Sequence, residues 1–184
     1  MNPMFILIGV IVLLVLYVWA LYNGLVTVST EVDEAWAQID VQLKRRTDLI
    51  PNIVESVKGY AKHEKSVFTD VTKARSALMG ATTPGDKAKA NDMLSGTLKS
   101  LFAIAENYPQ LKANENFLQL QRELSDTEDK VAYARQFYNT QLMEYNLKVK
   151  TFPNVILAGA FGFKVKEFFK VEGSDAEPVK VNFS

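Results

Sequence analysis

The dipeptide His63-Glu64 is the part of this sequence that comes nearest to a catalytic metal motif. In zinc hydrolases of the HExxH type, two histidines four residues apart bind the metal and the glutamate acts as general base. Here the chain continues Lys65-Ser66-Val67, so the second histidine is missing, and His63 is the single histidine of the chain. We therefore interpret His63 as a polar helix residue and predict no zinc centre.

A second group that could do chemistry is acidic and consists of Asp126, Glu128 and Asp129. Carboxylates are the ligands that hard cations prefer. Lys130 and Arg122 lie close by in the sequence, a pattern that is typical of a solvated helix face. The sequence also lacks a glycine-rich phosphate loop, a nucleophile elbow and a Ser/His/Asp set. It therefore predicts no catalytic, cofactor-binding or metal-binding residue and no cofactor, and it favours a protein that is not an enzyme.

The composition excludes further classes of chemistry. The 184 residues contain 21 Lys and Arg and 21 Asp and Glu, so no basic excess indicates binding to nucleic acid. Cysteine is absent, which excludes disulfides, iron–sulfur clusters and thiol catalysis. With 48% hydrophobic residues and few Gly and Pro, the composition favours one helical domain.

The basic cluster Lys44-Arg45-Arg46 admits two interpretations. The first is surface charge with weak salt bridges, which contribute about 0.3–0.5 kcal/mol on a helix. Arg46, however, falls on an apolar helical seam, where an unpaired buried charge costs about 3–5 kcal/mol. We predict that a carboxylate within the bundle pairs with Arg46, and the alternative is a contact with a partner protein. The candidate partners are Asp48, Glu123 and Asp126.

Three tyrosines, Tyr133, Tyr138 and Tyr145, stand at helical spacing and could line a binding groove. Tyrosines in this pattern more often lie in a core with their hydroxyl groups at its rim. We predict the core position for all three.

These side chains require long helices to position them. From Val32 to Leu78 apolar residues recur at spacings of four and three, which is typical of a heptad-like coiled-coil seam and does not fit a strand. We predict a first helix that begins near Thr30 and Asp33, a pair that resembles a capping box, and bends at Pro51 without ending. The alternative is a helix that continues from the apolar run before it, because Gly24 alone need not separate the two. Further helices are predicted at 86–108, at 116–152 and around 155–158, and residues 178–183 alternate like a strand.

The amino-terminal part has a different composition from the rest. Residues 1–30 contain no charged side chain, and residues 4–22 form an apolar run. At about 1.5 Å per residue this run is about 28 Å long, close to a hydrocarbon core of about 30 Å. A signal peptide is the alternative, but it requires a basic segment before the run and a small-residue cleavage site, and Ala20 stands among bulky neighbours. We predict a retained anchor that contacts the lipid bilayer through residues 4–22.

The orientation in the membrane rests on the first basic residues after the run, Lys44, Arg45 and Arg46. Since positive charge is enriched in cytoplasmic segments, they favour an amino terminus outside and a cytoplasmic helical bundle.

The carboxyl-terminal part is rich in phenylalanine. Residues 155–171 include Phe161, Phe163, Phe168 and Phe169 with interleaved lysines. So many large apolar groups indicate a contact surface. The segment could pack back and close one end of the bundle, or it could lie on lipid headgroups with its lysines on anionic phosphates. We predict the first arrangement.

Several blocks of the sequence resemble the bacterial LemA family. They are YNGLV at 22–26, AWAQIDVQLKRRTDLIPN at 35–52, VKGYAKHE at 57–64, AENYPQLKANENF at 105–117, ARQFYN at 134–139, FP at 152–153 and FGF at 161–163. The predicted amphipathic helices with their short connections indicate an all-α protein in which an N-terminal transmembrane helix precedes an elongated antiparallel bundle of three to four helices. The resemblance likewise implies an N-terminal membrane helix followed by a helical bundle. It implies no catalytic residues, because the molecular role of the family is poorly defined.

We therefore predict three parts: a transmembrane anchor at 1–27, a LemA-like helical bundle at 28–158 and a Phe-rich segment and tail at 159–184. The predicted function is that of a single-pass protein of the bacterial inner membrane that acts as a scaffold or protein-interaction module. Its partners are membrane or membrane-proximal proteins or a second copy of the chain, and no nucleic acid. The alternative is a regulatory accessory or signalling adaptor of a membrane-bound enzyme such as a protease.

Overall fold

Six α-helices follow one another along residues 3–169, the part of the chain that this computed structural model describes. Within those residues there is no strand, and the predicted all-α class is confirmed. The strand-like segment at 178–183 lies outside the described residues. The helices are α1 (Pro3–Lys58), α2 (Lys65–Gly80), α3 (Pro84–Ala105), α4 (Pro109–Lys112), α5 (Glu115–Lys150) and α6 (Asn154–Phe161).

Helix α1 begins far earlier than the capping pattern at Thr30 predicts. The Thr30 hydroxyl donates to the carbonyl of Val26 at 3.0 Å, the bond of a threonine inside a helix, so the start at this residue is wrong and the alternative, a helix continuous with the apolar run, is correct. Pro51 lies inside α1, as the unbroken apolar pattern predicts. The apolar run at 4–22 and the seam that follows it are therefore parts of one helix.

The predicted continuation of the first helix to Leu78 is wrong, because α1 ends at Lys58 and α2 starts at Lys65. The chain reverses between them. The Arg75 guanidinium donates through Nε to the carbonyl of Thr47 at 2.8 Å, and the Lys58 ammonium lies 5.9 Å from the centre of the Phe68 ring. Residue 47 of α1 thus lies near residue 75 of α2, and residue 58 lies near residue 68. The two helices are therefore antiparallel.

The first of two compact units contains residues 1–42 and 130–168. In it, Lys148 lies beside Gly24, and the Trp36 and Tyr138 rings are 5.3 Å apart. These pairs run in opposite directions along the sequence, so α1 and α5 are antiparallel here. Both helices place every third or fourth residue in the core, as their seams predict. The buried apolar residues of this unit are Leu25, Val28, Val32, Ala35, Ile39, Val131, Ala134, Tyr138, Leu142, Tyr145, Val149 and Ala158.

The second unit contains residues 43–129 and Phe169 among the described residues. It includes α2, α3 and α4 with the parts of α1 and α5 that fall in this range. Helix α3 starts two residues before the predicted Asp86, because Thr83 is its N-cap and accepts a bond from the Asp86 amide at 3.1 Å, with Pro84 following the cap. The core of this second unit includes Ile50, Ile53, Val57, Val71, Leu78, Leu94, Leu98, Leu101, Leu111, Phe117 and Leu124. The boundaries predicted at 27 and 158 stay a prediction.

Candidate functional site

The amino-terminal part of α1 exposes large apolar side chains on all sides. Every large residue from Met4 to Trp19 is exposed, and none of the most apolar stretch of α1 is buried within the chain. The first fully buried residue of α1 is Leu25, three positions after Tyr22. By length and composition this part of α1 can cross a membrane. A buried core helix of a soluble protein shows the opposite exposure.

A segment without regular secondary structure at 163–168 follows α6 and is fixed to α5 by hydrogen bonds. The Tyr145 hydroxyl donates to the carbonyl of Lys164 at 2.9 Å, and the Tyr138 hydroxyl donates to the carbonyl of Glu167 at 3.1 Å. The Asn146 amide group both donates to the carbonyl of Lys166 and accepts from its backbone N–H, each at 3.0 Å. We call residues 163–168 the strap. It packs back onto the helices, in the direction predicted for the Phe-rich end, and residues 170–184 of the predicted segment at 159–184 lie outside the described residues.

A salt bridge connects the strap to α1. The Lys166 ammonium lies 2.6 Å from the Asp33 carboxylate and 5.2 Å from the centre of the Tyr145 ring. Tyr138 and Tyr145 are buried between these elements. Burial raises the pKa of both phenols above the ordinary value of 10.0, and the negative charge of Asp33 raises it further. The phenols therefore stay protonated and act as hydrogen-bond donors to the strap.

The tyrosine prediction is correct for two residues and wrong for the third. Tyr138 and Tyr145 lie in the core, whereas Tyr133 is 71% exposed. Tyr133 lies one position short of the next core residue, Ala134, so it points away from α1. It borders a shallow groove on the outer face of α5, which is also lined by Ala132, Arg135, Gln136, Asn139, Thr140, Met143 and Phe168.

Arg46 lies in the core of the second unit with only 1% of its side chain exposed. Its guanidinium donates through Nη1 to the Asn91 amide oxygen at 2.6 Å and through Nη2 to the Ser95 hydroxyl at 2.9 Å. The Glu128 carboxylate lies 3.5 Å from Nη2 and is 54% exposed. The third nitrogen, Nε, is buried without a hydrogen-bond partner. Neutral groups of α3 thus make the short bonds, and the charged group is more distant.

The predicted location of Arg46 is correct, but its partners differ from the candidates. Asp48 instead pairs with Lys44 at 3.1 Å on the exposed side of α1. Glu123 accepts a bond from Gln119 at 3.0 Å. The carboxylate that Arg46 reaches is Glu128, a member of the acidic group Asp126, Glu128 and Asp129. Asn91 and Ser95 were not predicted, because a buried positive charge indicates a carboxylate partner and neutral acceptors carry no such signal in a sequence.

Burial lowers the pKa of Arg46, and the charges of Glu128 and Asp92 act in the opposite direction. Because its donors face α3 and α5 and its side chain is buried, the guanidinium offers no open site for a ligand. Its position between three helices indicates a structural role, in which a polar contact fixes the alignment of helices that an apolar seam alone leaves free.

The remaining sequence candidates for chemistry stay apart from one another. His63 is exposed in the turn between α1 and α2, so its interpretation as a helix residue is wrong. Among residues 3–169, no group of three or more His, Asp or Glu side chains is placed to hold a metal ion.

Helix α1 has an apolar, exposed end and continues into compact helical units with buried cores. This arrangement fits a membrane-anchored helical protein. Comparison with known proteins gives the family. The sequence profile of the LemA family matches residues 35–183, and the chain belongs to that family. The resemblance stated from the sequence blocks is thereby confirmed.

Individual relatives agree with this assignment. Magnetosome protein MamQ 1 and magnetosome protein MamQ 2 of Paramagnetospirillum magneticum are each 24% identical to this chain over an alignment 184 positions long. The alignment covers 86% of this chain and 68% of the relative. Protein LemA of Metamycoplasma hominis is 30% identical over 134 residues, which cover 71% of this chain and 60% of that protein. None of these names specifies an enzymatic activity.

Proposed function

We propose that the protein is a single-pass membrane protein whose helical units act as a non-enzymatic scaffold or interaction module at the membrane surface. The observation that carries this proposal is the exposure of every residue at 4–20 of the apolar run beside the burial that starts at Leu25. Transfer of so much apolar surface from water to lipid is strongly favourable, at about 25 cal/mol per Å². The family membership and the magnetosome relatives support the proposal.

Retention of the run, rather than its removal as a signal peptide, is supported by the continuity of α1. The helix passes from Tyr22 through Gly24 to the buried Leu25 without a break. Cleavage near Ala20 requires an extended chain and small neighbouring residues, and neither is present.

Alkaline extraction of native membranes, followed by the intact mass of the extracted and the sedimented protein, tests retention. We expect the full-length chain in the sediment. A soluble product that starts after Ala20 would contradict the anchor.

The interaction role is supported by the groove on the outer face of α5. Tyr133 and Met143 are exposed there, and aromatic and methionine side chains are enriched at protein interfaces. A photo-crosslinking amino acid at position 133, in the full-length chain in its native membrane, tests this surface. We expect one discrete adduct that is lost when Met143→Asp is added. A chain with the crosslinker at the exposed Val41 is the matched control, and equal adducts from both positions would contradict the groove as the contact surface.

We further propose the orientation with the amino terminus outside and the helical units in the cytoplasm of the bacterial cell. Because Arg46 is buried, the positive charges that support this orientation are those of Lys44 and Arg45. Labelling of Val41→Cys by a membrane-impermeant maleimide tests it, because the chain has no other cysteine. We expect labelling only after the cells are permeabilised, and labelling of intact cells would reverse the orientation.

A further inference from the structure

Helix α6 leaves three of its four large apolar side chains exposed, and Leu157 is half-buried. Of its eight residues, Asn154–Phe161, Ala158 is the only buried one. Val155, Ile156 and Phe161 are exposed, and so is Phe152 just before the helix. We call Phe152, Val155, Ile156 and Phe161 the α6 patch. The strap after it is fixed by hydrogen bonds from α5, so the Phe-rich end divides into a part that closes the unit and a part that faces outward.

The α6 patch lies at the point where the exposed run of α1 ends. The Phe161 ring is 4.9 Å from the Tyr22 ring, and the Phe163 ring is 6.0 Å from it. Tyr22 is the last residue of the apolar run at 4–22. Tyrosine at such an end lies at headgroup level, since its ring is amphipathic. If the run spans the bilayer, α6 is therefore held at the bilayer surface.

Lysines outnumber acidic residues in the sequence around α6. Residues 145–166 contain Lys148, Lys150, Lys164 and Lys166 and no acidic residue, and Glu144 and Glu167 flank this range. The Lys148 ammonium lies beside Gly24, two positions after Tyr22. Lys166 is paired with Asp33, which leaves Lys148, Lys150 and Lys164 as the lysines that can meet an anionic surface.

We propose that α6 is a second membrane contact, which lies in the bilayer interface with the α6 patch in the acyl boundary and Lys148, Lys150 and Lys164 on anionic lipid headgroups. This inference rests on the proposed anchor and adds a second site to it. Lipid is the occupant that the structure favours over a protein partner, because the patch is continuous with the exposed run of α1 through Tyr22 and Phe161. Buried apolar area and attraction to anionic lipids together set the strength of an interfacial contact, and the α6 patch with its neighbouring lysines can supply both.

The absence of cysteine permits a test by single-cysteine probes in the full-length chain. Leu13→Cys reports on the anchor, Ile156→Cys on α6 and Val41→Cys serves as control. The three side chains are equally exposed, at 67%, 64% and 62%. Val41 lies on α1 about 28 Å beyond Tyr22, at about 1.5 Å per residue. Each variant is labelled with an environment-sensitive fluorophore and placed in nanodiscs of phosphatidylcholine and phosphatidylglycerol. The nanodiscs contain one of two quenchers, a lipid with a spin label near the headgroup (shallow) or a lipid with a spin label deeper in the acyl chain (deep).

We expect the deep spin label to quench the probe at Leu13, and the shallow one to quench the probe at Ile156 several-fold more than the probe at Val41. If Leu13 is quenched and Ile156 behaves like Val41, the inference is wrong and the anchor stands. If lipid quenches Ile156 no more than Val41 but iodide in the water cannot reach it, a second copy covers α6 and the inference is again wrong. If Leu13 escapes lipid quenching, the proposed anchor fails, and the inference fails with it.

A charge variant tests the role of the lysines. The Ile156→Cys chain is given three further substitutions, Lys148→Gln, Lys150→Gln and Lys164→Gln. In the mixed nanodiscs, quenching of its probe by the shallow spin label should fall. It should reach the value measured for the Ile156→Cys chain with its lysines unchanged in nanodiscs of phosphatidylcholine alone. Lys62→Gln, Lys65→Gln and Lys73→Gln remove the same charge from exposed positions of other elements and should leave quenching unchanged. Equal quenching in both triple variants would overturn the assignment of these lysines to anionic lipid.

Discussion

The bonds of the Arg46 guanidinium differ in strength, and single substitutions separate them. Asn91→Ala leaves Nη1 buried without its acceptor at 2.6 Å, which should lower the free energy of unfolding by about 1–3 kcal/mol. Glu128→Gln removes a half-exposed carboxylate at 3.5 Å and should cost less than about 1 kcal/mol. Denaturant unfolding of the full-length protein in detergent measures both.

The control for these two variants is Asp48→Asn, which removes an exposed charge that pairs with Lys44 and should have little effect. The cost of Asn91→Ala should also shrink in an Arg46→Leu background, because no donor is then left unsatisfied. A larger cost for Glu128→Gln than for Asn91→Ala would mean that the ion pair, rather than the amide contact, holds Arg46 in the core.

The two buried phenols predict a response to alkaline pH. Their pKa is raised in the folded protein, so their contribution to stability is complete below the unfolded value of about 10 and is lost as the pH rises through the raised value. Tyr138→Phe with Tyr145→Phe should weaken the strap at neutral pH and flatten the loss of stability above about pH 10 relative to the unchanged protein. Melting curves from pH 8 to 11, about the ordinary tyrosine pKa, measure this difference. An equal alkaline decline in both proteins would show that the phenols are not its cause.

At the scale of the element, Gly162 determines how the chain leaves α6. Its φ of +78° is left-handed, and its conformation ends the helix where the strap begins, with the Phe163 amide bonded to the carbonyl of Ala158 at 2.9 Å. Gly162→Ala should destabilise the strap by about 1–2 kcal/mol, since an L side chain is strained there. Gly159→Ala, inside α6 with open space around it, is the control and should be neutral or stabilising by up to about 1 kcal/mol. Equal melting temperatures for the two variants would contradict this account of the turn.

Helix periodicity predicts the elements well and their breaks less well. The seams place Val32, Ile39, Leu43 and Ile50 in the core, where they are found. The turn at 59–64 was missed because Val67 and Val71 continue the spacing of four and three across it. Spacing along a sequence carries no information on whether the chain goes on or turns back. Gly59 is the one local signal of the break.

At the scale of the whole molecule, the sequence predicts the all-α class, the family and the apolar run, and it predicts that Arg46 is buried. It does not predict which neutral side chains receive the guanidinium, because Asn91 and Ser95 become its neighbours only when α3 packs on α1. The sequence favours a Phe-rich end that packs back on the bundle, but it does not show that α6 itself stays exposed. Lys148 is far from Tyr22 in sequence and lies beside Gly24 in the fold.

The central claim is that residues 4–22 cross a membrane, and a pair of charges at the middle of the run tests it most directly. Val12→Arg with Leu13→Arg should disfavour insertion by about 5–7 kcal/mol, since one arginine at the centre of a membrane helix costs about 2.5–3.5 kcal/mol. The measured quantity is the fraction of protein that stays in the membrane after alkaline extraction. We predict that the double variant is lost from the membrane, while Val41→Arg, at an exposed position outside the run, is retained like the unchanged protein. Equal retention of all three proteins would contradict the claim.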